Sequence, residues 1–306
     1  MKTVSASVLK SLLDQGRQIT IIDVLPEQYY QSCHMAGAVN YCVYEVVFLD
    51  RVKADFRDKG ASLAVYSSSH RCMAAQDAAE KLVSAGYQDV TVCMDGIEGW
   101  AGAGYPVEGS GGPQPASPDV LEAGTGELDA DIAESRVEWF GRSRTVRHRG
   151  TVSLARGRLV FRDGRLAAGA FTLDMRSIRN ENLQDTGLRS VLEAHLSSRD
   201  FFHVDEYPEA TFETTRVLPL AGSSPGMPNY DVEGRLGLRG QTRDLLFPAT
   251  VERLDDGRIA VEAHFDLDRT GWGVIYGSGR FFEKLGMHLV HDLVSIQLRL
   301  VSMPGA

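Results

Sequence analysis

The sequence predicts two domains in succession: an α/β domain built on a parallel sheet, followed by an all-β antiparallel sandwich or barrel of about eight strands. Its 306 residues suffice for about two domains of ordinary size. Between Glu108 and Gly126 the chain is rich in Gly, Pro and Ser, which is the composition of a flexible linker. Strand-like and helix-like segments alternate before this stretch, whereas short strand-like segments dominate after it.

The first domain alternates between predicted strands and helices. Continuous apolar runs at Ile19–Val24, Leu63–Tyr66 and Val90–Cys93 predict strands that are buried on both faces. Between the last two runs, Ala74–Ala85 has small and apolar residues at helical spacing, and Gly86 supplies the stop signal of a helix. This alternation predicts a parallel sheet that is covered by helices.

The second domain is built from short segments with a period of two or a β-rich composition. Many of them are separated by turn pairs such as Asp163-Gly164 and Asp256-Gly257. Only Leu188–His195 has a convincing helical pattern. The predicted strands are Arg136–Phe140, Gly150–Ala155, Leu159–Phe161, Ala168–Leu173, Ala210–Thr215, Tyr230–Leu238, Leu245–Val251, Ile259–Phe265 and Leu293–Val301.

Composition and charge exclude several classes of protein. With 43% hydrophobic and 24% charged residues, ordinary cores can form and wholesale disorder is excluded. The net charge is −9 and neither domain is basic, so we expect no nucleic-acid partner and no dedicated anionic-membrane surface. No apolar run approaches the roughly 20 residues that cross a bilayer, so we expect no membrane span.

The N-terminal segment and the cysteines favour a cytoplasmic location. Val8, Leu9, Leu12 and Leu13 share one face of a predicted amphipathic helix, which differs from the unbroken apolar segment of a signal peptide. All four cysteines lie in the first third of the chain, and none forms a C-x-x-C pair. We therefore expect reduced thiols rather than disulfides. The cysteines are Cys33, Cys42, Cys72 and Cys93.

Several motifs of the first domain, in order over roughly residues 1–108, resemble a rhodanese (sulfurtransferase) domain. They are an Asp after the first long strand (Asp23), an H-x-x-G-A segment (His34–Ala38) and a G-I-E-G-W sequence (Gly96–Trp100). The resemblance implies an α/β rhodanese-like parallel sheet, in which a cysteine directly after the central strand carries the transferred sulfur. We expect Asp23 and His34 to order loops rather than to transfer protons.

The candidate catalytic residues lie in the loop after the central strand. Ser67 occupies the position of the family's cysteine, and a serine hydroxyl cannot carry a persulfide. Cys72 follows five residues later, where a helix begins, with His70 and Arg71 beside it to favour a thiolate. Two interpretations stay open: Cys72 is an alternative nucleophile, as in a subset of the family, or it is a small residue that opens a helix.

Segments of the second domain resemble the YceI family. The most specific is Asp200–Phe212, and the match runs from about Leu128 to Val301 with the segments in order. We therefore place this domain at residues 128–303, behind a linker at 109–127. The resemblance implies an all-β antiparallel lipocalin-like barrel that binds polyisoprenoid lipids or quinones.

The aromatic residues of the second domain are the candidate ligand-binding residues. An eight-stranded barrel is wide enough to hold one elongated apolar ligand. Ordinary core packing explains each aromatic residue singly, and only the set as a whole indicates a cavity, with polar groups expected mainly at one end. The set is Trp139, Phe161, Phe171, Phe201, Phe202, Phe212, Phe265, Trp272 and Tyr276.

Two further groups of residues carry weaker hypotheses. His288 and His291 are three residues apart without an acidic partner at helical spacing, so we expect no metal site. The arginines between Arg142 and Arg149 form a solvated face, or they hold an acidic headgroup at the barrel mouth. We expect no cofactor other than a bound isoprenoid lipid or quinone.

The sequence leaves three functional hypotheses. The leading one is a binding protein for a polyisoprenoid or quinone-type lipid with a degenerate rhodanese-like module, whose partner is an amphiphilic small molecule or lipid. The alternative is a sulfurtransferase that uses Cys72 as its persulfide-carrying nucleophile. In the third, the rhodanese-like domain recruits a protein partner.

Overall fold

The computed structural model describes residues 1–113 and 124–304. The chain divides into two compact units, Met1–Ser117 and Pro118–Ala306, each with its own hydrophobic core. Residues 114–123 of the predicted linker lie outside the described residues. Within the described part of the chain, no helix is long and apolar enough to cross a membrane.

The first unit is an α/β domain on a five-stranded parallel sheet with the strand order β1-β6-β5-β2-β4, which confirms the predicted fold class. A separate antiparallel pair joins β3 to β7. The strands are β1 (Lys2–Val4), β2 (Thr20–Asp23), β3 (His34–Met35), β4 (Val39–Asn40), β5 (Ser62–Tyr66), β6 (Asp89–Cys93) and β7 (Val107–Glu108). The helices are α1 (Ala6–Asp14), α2 (Glu27–Ser32), α3 (Phe48–Asp55), α4 (Ala74–Ser84) and α5 (Gly96–Gly102).

Both faces of this sheet are buried, as the continuous apolar runs predicted. Ile22 and Val65 pack into one core cluster, and their neighbours Ile21 and Ala64 pack into another. This follows from the period of two along a strand, which sends successive side chains to opposite faces. The N-terminal helix buries a narrower face than predicted, since Val8 is exposed to solvent.

The second unit is a closed antiparallel barrel of eight strands, β9 to β16, which confirms the predicted lipocalin-like fold. Pairing of β10 with β11 closes the barrel, and β8 adds to β10. The strands are β8 (Gly126–Asp129), β9 (Arg136–Arg142), β10 (Arg147–Arg162), β11 (Arg165–Asn180), β12 (Glu209–Pro219), β13 (Tyr230–Leu238), β14 (Gln241–Arg253), β15 (Ile259–Asp268) and β16 (Leu293–Val301). The one α-helix of its described residues is α6 (Thr186–Ser197).

Two segments that the sequence predicts as separate strands belong to a single strand of the barrel. Gly150–Ala155 and Leu159–Phe161 both belong to β10, a strand of 16 residues. The pairing of β10 with β11 shifts register between Leu154 and Arg156 and again between Val160 and Phe161, as in β-bulges, but it is regular at Gly157. A Cβ atom at Gly157 would lie 2.9 Å from the Cβ of Ala130, so this glycine permits close packing instead of ending a strand.

Antiparallel pairing brings alternate connections to the same end of the barrel. One end, which we call the helical end, carries the β9–β10 turn (143–146), the β11–β12 connection with α6 (181–208), the β13–β14 turn (239–240) and the β15–β16 connection (269–292). The β10–β11, β12–β13 and β14–β15 connections lie at the opposite end. The two ends therefore differ in the length of their connections.

Candidate functional site

The loop from Ser67 to Met73 joins β5 to α4 at the carboxyl edge of the parallel sheet, where ligands bind in open α/β folds. Ser67 is only 2% exposed, and its hydroxyl donates to the carbonyl oxygen of Cys72 at 3.3 Å. The N–H of Cys72 donates to the carbonyl oxygen of Ser69 at 3.1 Å. Ser67 is thus part of the hydrogen bonding inside the loop.

Hydrogen-bond donors of the same loop converge on the thiol of Cys72. Burial raises the pKa of this thiol, but the backbone N–H groups of Ala74 and Ser68 and the Ser68 hydroxyl stabilise the thiolate, as does the Ser67 hydroxyl when it turns from the Cys72 carbonyl oxygen to the sulfur. Their combined effect exceeds that of burial, so the pKa of Cys72 lies below its ordinary value. The loop brings Ser67 and Cys72 together, with the serine as donor and the cysteine as acceptor.

The other two candidate catalytic residues do not join this pair. The side chains of His70 and Arg71 are exposed to solvent, and the groups that favour the thiolate are neutral donors of the loop. Burial and then the charge of the Cys72 thiolate raise the pKa of Tyr44, so the fold brings this residue near the loop. Tyr44 is distant in sequence, so only the fold could place it there.

Helix α5 fixes the loop from its other side. The N–H of Ile97 donates to the carbonyl oxygen of Ser67 at 2.9 Å, and the N–H of Glu98 donates to that of Ser68 at 3.0 Å. Gly96 has φ +62°, and a Cβ atom there would come within 2.6 Å of both carbonyl oxygens. Only glycine fits this position, so the G-I-E-G-W sequence serves to hold the loop.

A buried carboxyl lies beside the loop, because Asp23 pairs in register with Tyr66, the residue before Ser67. Asp23 is fully buried, and burial raises its pKa to about 6 although the N–H of Leu25 donates to Oδ1 at 2.8 Å. His34 has Nδ1 at 2.6 Å from the carbonyl oxygen of Tyr30. Both contacts are local in sequence, and the ordering role expected for Asp23 and His34 stays a prediction.

The barrel encloses a partly open cavity of about 310 Å³. All eight strands, α6 and the β15–β16 connection contribute to its walls. The aliphatic and methionine side chains that line it are Val137, Val152, Leu173, Met175, Ile178, Leu192, Leu196, Ala210, Leu236, Leu238, Leu245, Leu267, Val290, Val294, Ile296 and Leu298. The interior is thus predominantly apolar and incompletely filled by side chains.

A run of aromatic rings forms part of the cavity wall. The ring of Phe212 lies 5.1 Å from that of Phe171 and 5.4 Å from that of Phe247, measured between centroids. Phe247 stacks in turn on Phe265 at 4.6 Å. Phe247 is absent from the predicted set, although its spacing of two from Leu245 could have placed it on the same face of a strand.

Seven of the nine predicted aromatic residues line the cavity: Trp139, Phe171, Phe201, Phe202, Phe212, Phe265 and Tyr276. Phe161 and Trp272 do not contribute to its wall. Phe161 is 1% exposed within the solid core, near the β10–β11 turn at the opposite end of the barrel. The indole N–H of Trp272 donates to the carbonyl oxygen of Leu236 at 2.8 Å. This ring therefore packs in the barrel core and does not line the cavity.

The polar residues of the wall all come from the helical end, as expected. They are Arg142, Ser143, His148, His195, Arg269 and His291. The imidazole of His195 packs edge-on against Phe201 and Tyr276, with centroids 4.9 and 4.7 Å away. The cavity therefore has an apolar body and one end with polar groups.

Five buried polar atoms at or near this end lack a hydrogen-bond partner among the described residues, and three of them belong to cavity-lining side chains: Nε1 of Trp139, Nε of Arg142 and Nδ1 of His148. Trp139 pairs with Gly150 and Gly141 pairs with His148, so the side chains of Trp139 and His148 are diagonal neighbours on the inner face of β9 and β10. Burial lowers the pKa of His148, which favours the neutral imidazole. The indole N–H of Trp139 and the neutral imidazole of His148 suit an uncharged oxygen group, while Arg142 adds a charged donor to the same part of the wall.

Comparisons with known proteins agree with this architecture. A family model for YceI-like domains matches residues 128–302, and one for rhodanese-like domains matches residues 5–103. No curated protein matches the chain.

Solved structures resemble the two units separately. Burkholderia cenocepacia BcnA is 23% identical and covers 57% of this chain and 99% of its own, with a TM-score of 0.45. A polyisoprenoid binding domain from Saccharophagus degradans is 16% identical and covers 58% and 98%, with a TM-score of 0.42. The rhodanese-like domain of the Alr3790 protein from Anabaena sp. is 30% identical and covers 39% and 89%, with a TM-score of 0.33.

The matched ranges coincide with the two structural units. The rhodanese-like match covers the parallel sheet and the loop of Cys72, and the YceI-like match covers the barrel and its cavity. The second match alone spans more than half of the chain. The chain belongs to the YceI-like family, and its first unit is a rhodanese-like domain.

Proposed function

We propose that the barrel binds a polyisoprenoid or quinone-type lipid. The observation that carries this proposal is the apolar cavity of about 310 Å³ whose polar groups all lie at the helical end. Its volume is near the lower bound of the roughly 300–1,000 Å³ of ligand pockets. An apolar chain fits the body of the cavity through non-directional contact, and a single polar group fits its end. The resemblance to YceI proteins favours a prenyl chain.

In this proposal Trp139 and His148 hold the polar group of the lipid. A quinone carbonyl or a prenyl hydroxyl accepts a hydrogen bond from the indole N–H of Trp139. The unpaired Nδ1 of His148 then accepts from, or donates to, the same group according to its tautomer. Pairing these buried atoms removes a desolvation cost of about 1–3 kcal/mol for each.

Extraction of bound small molecules from the purified protein, followed by mass spectrometry, tests the proposal. We expect a prenyl-containing mass from the wild type and a reduced yield from Trp139→Phe, which removes the N–H but keeps an aromatic ring. Trp272→Phe is the matched control, because that indole lies outside the cavity wall. Recovery of no apolar ligand, together with no uptake of a fluorescent prenyl alcohol, would contradict the proposal.

A second candidate function concerns the rhodanese-like unit, which we infer to be inactive at Ser67 and to hold sulfur on Cys72. The donors around the Cys72 thiol favour this inference, because they stabilise the thiolate that must attack. In the reaction the thiolate attacks the outer sulfur of thiosulfate. The new S–S bond forms as the old one breaks, and sulfite leaves with the bonding electron pair.

Incubation with thiosulfate tests this second candidate by intact-protein mass spectrometry. We expect an adduct of one sulfur atom on the wild type and none on Cys72→Ser, whereas Cys93→Ser, at a buried cysteine in β6, keeps the adduct. Steady thiosulfate turnover is expected to be low, and Ser67→Cys to raise it. Robust thiosulfate turnover by the Cys72→Ser variant would contradict both inferences: that the site with Ser67 is inactive, and that Cys72 carries the sulfur.

A further inference from the structure

We propose that the helical end of the barrel docks on the surface of a lipid bilayer, so that the cavity exchanges its ligand with the membrane. The proposal rests on the proposed lipid binding and adds to it the place from which the lipid comes. Four observations carry it: the distribution of exposed apolar side chains, the face of α6, the ties between the segments of this end, and the cations around them.

Exposed apolar side chains concentrate at this end. Of the eleven large apolar residues that are exposed among the described residues of the second unit, seven lie in or directly beside the connections of the helical end. They are Val146, Leu188, Val191, Phe281, Phe282, Met287 and Leu293, between 44% and 73% exposed. The other four, Ile132, Met227, Leu246 and Met303, lie elsewhere on the barrel. A concentration of this kind marks an interaction surface.

Helix α6 joins the exposed apolar residues to the cavity. Leu192 and His195 line the cavity, whereas Leu188 and Val191 on the same side of the helix are 61% and 68% exposed. Spacings of three and four residues place all four on one apolar stripe. The barrel thus covers only part of this stripe, and the remainder continues directly from the cavity wall to the surface.

Contacts hold the segments of the helical end to one another. An edge-on ring contact joins His195 of the α6 segment to Tyr276 of the β15–β16 connection, 4.7 Å away. A β-bridge joins Ser143 to Val290, which links that connection to the β9–β10 turn. Asn182 donates to the carbonyl oxygen of Arg147 at 3.0 Å and links the turn back to the α6 segment. The three segments that carry most of the exposed apolar residues are therefore held to one another at this end.

Cations cluster around Val146, a local feature that the negative charge of the whole domain did not lead us to expect, and they favour a lipid surface over an apolar protein partner. Arg144, Arg147 and Arg149 are exposed around Val146, and the sequence from 141 to 150 contains no acidic residue. Beside the two phenylalanines of the β15–β16 connection, Lys284 is exposed next to Glu283, whereas Arg280 is paired with Asp268 at 2.8 Å and Asp292 at 3.3 Å. Aromatic residues that enter the interface, beside cations that meet lipid phosphates, are typical of proteins that bind a bilayer surface.

Co-sedimentation of the full chain with vesicles of phosphatidylcholine and phosphatidylglycerol tests the proposal. We expect the wild type to bind, and the double variant Phe281→Asp/Phe282→Asp to lose vesicle affinity by about tenfold or more, because two aromatic contacts become charges. The matched control is Ile132→Asp/Met227→Asp, whose positions are equally exposed but outside the helical end. It is expected to bind vesicles as the wild type does.

Uptake of a fluorescent prenyl alcohol in buffer without vesicles separates docking from ligand binding. Neither phenylalanine lines the cavity, so the double variant is expected to take up this probe as the wild type does, which also shows that it is folded. Failure of the wild type to bind vesicles, or equal binding by the two double variants, overturns the docking proposal. If the wild type takes up no probe, the proposed lipid binding is overturned. The co-sedimentation result then decides by itself whether the helical end binds a bilayer.

Discussion

At the scale of single residues, Asp23 shows how a buried ionisable group makes stability depend on pH. Burial raises its pKa from 3.8 to about 6, so the folded chain binds the proton more tightly than the unfolded chain does. The resulting stabilisation is complete below pH 3.8 and is lost as the pH rises through 6. A shift of this size corresponds to roughly 3 kcal/mol.

Asp23→Asn should therefore gain stability relative to the wild type as the pH rises, since the amide has no charge to bury. We expect the difference in urea midpoint between the two proteins to grow in favour of the variant from about pH 4 to about pH 7. All four cysteines lie in the first unit and three are buried, so brief thiol labelling reports the unfolding of this unit alone. Parallel stability curves for the two proteins would show that Asp23 is not the group responsible.

In the loop of Cys72, the position of the residues was predictable from the sequence, but the groups that stabilise the thiolate were not. The order of motifs was enough to identify the rhodanese-like fold and to place Ser67 after the central strand. The source of thiolate stabilisation was not predictable, because adjacent charges in sequence, His70 and Arg71, point to solvent in the fold. The donors from Ser68 and Ala74 depend on loop geometry that no local pattern encodes.

At the scale of elements, alternation along a strand predicts which face a residue occupies but not how deep it lies. Phe161 entered the candidate set as an aromatic residue of a predicted strand, although it packs in the core near the opposite end of the barrel. Phe171 and Phe212, included in the set for the same reason, do face inward on adjacent strands. Depth depends on barrel closure and register, which are set by pairings distant in the chain.

Ala210→Trp tests whether the cavity is needed for ligand uptake. Ala210 lies on the inner face of β12 and is 2% exposed, so an indole there would occupy ligand space. We expect prenyl-probe uptake to be lost while the free energy of unfolding falls by no more than about 3 kcal/mol, because the void accommodates much of the added volume. Titration with the probe and urea unfolding measure the two effects.

Ala170→Trp is the matched control for that substitution. Ala170 is exposed on β11, one residue from the inward Phe171, so its side chain points to the outer face of the barrel. The control should bind the probe as the wild type does. Undiminished uptake by Ala210→Trp would show that the probe does not enter the cavity.

At the scale of the whole molecule, two different folding patterns occur in one chain. The first unit depends on helices that cover a parallel sheet, and the second on a sheet that closes on itself. Each unit has its own core, so most of the stabilising burial occurs within units. The change in strand pattern across the Gly/Pro/Ser-rich stretch made both fold classes predictable. The exposed apolar helical end was not predictable, because it is assembled from connections that are far apart in sequence.

We expect the two units to fold independently, and limited proteolysis can test this at a defined bond. The sequence from 109 to 126 contains no Lys or Arg, but it contains Glu122. Brief treatment with a glutamate-specific protease should therefore cut there first, because a linker of this composition is accessible, and should leave two stable fragments. Glu122→Gln is expected to slow that cut, and trypsin, which has no site in the linker, should release no pair of domain-sized fragments at early times. Cleavage by the glutamate-specific protease that begins inside the barrel, between 132 and 301, would contradict independent folding, since a compact unit of eight paired strands must open before its interior bonds become accessible.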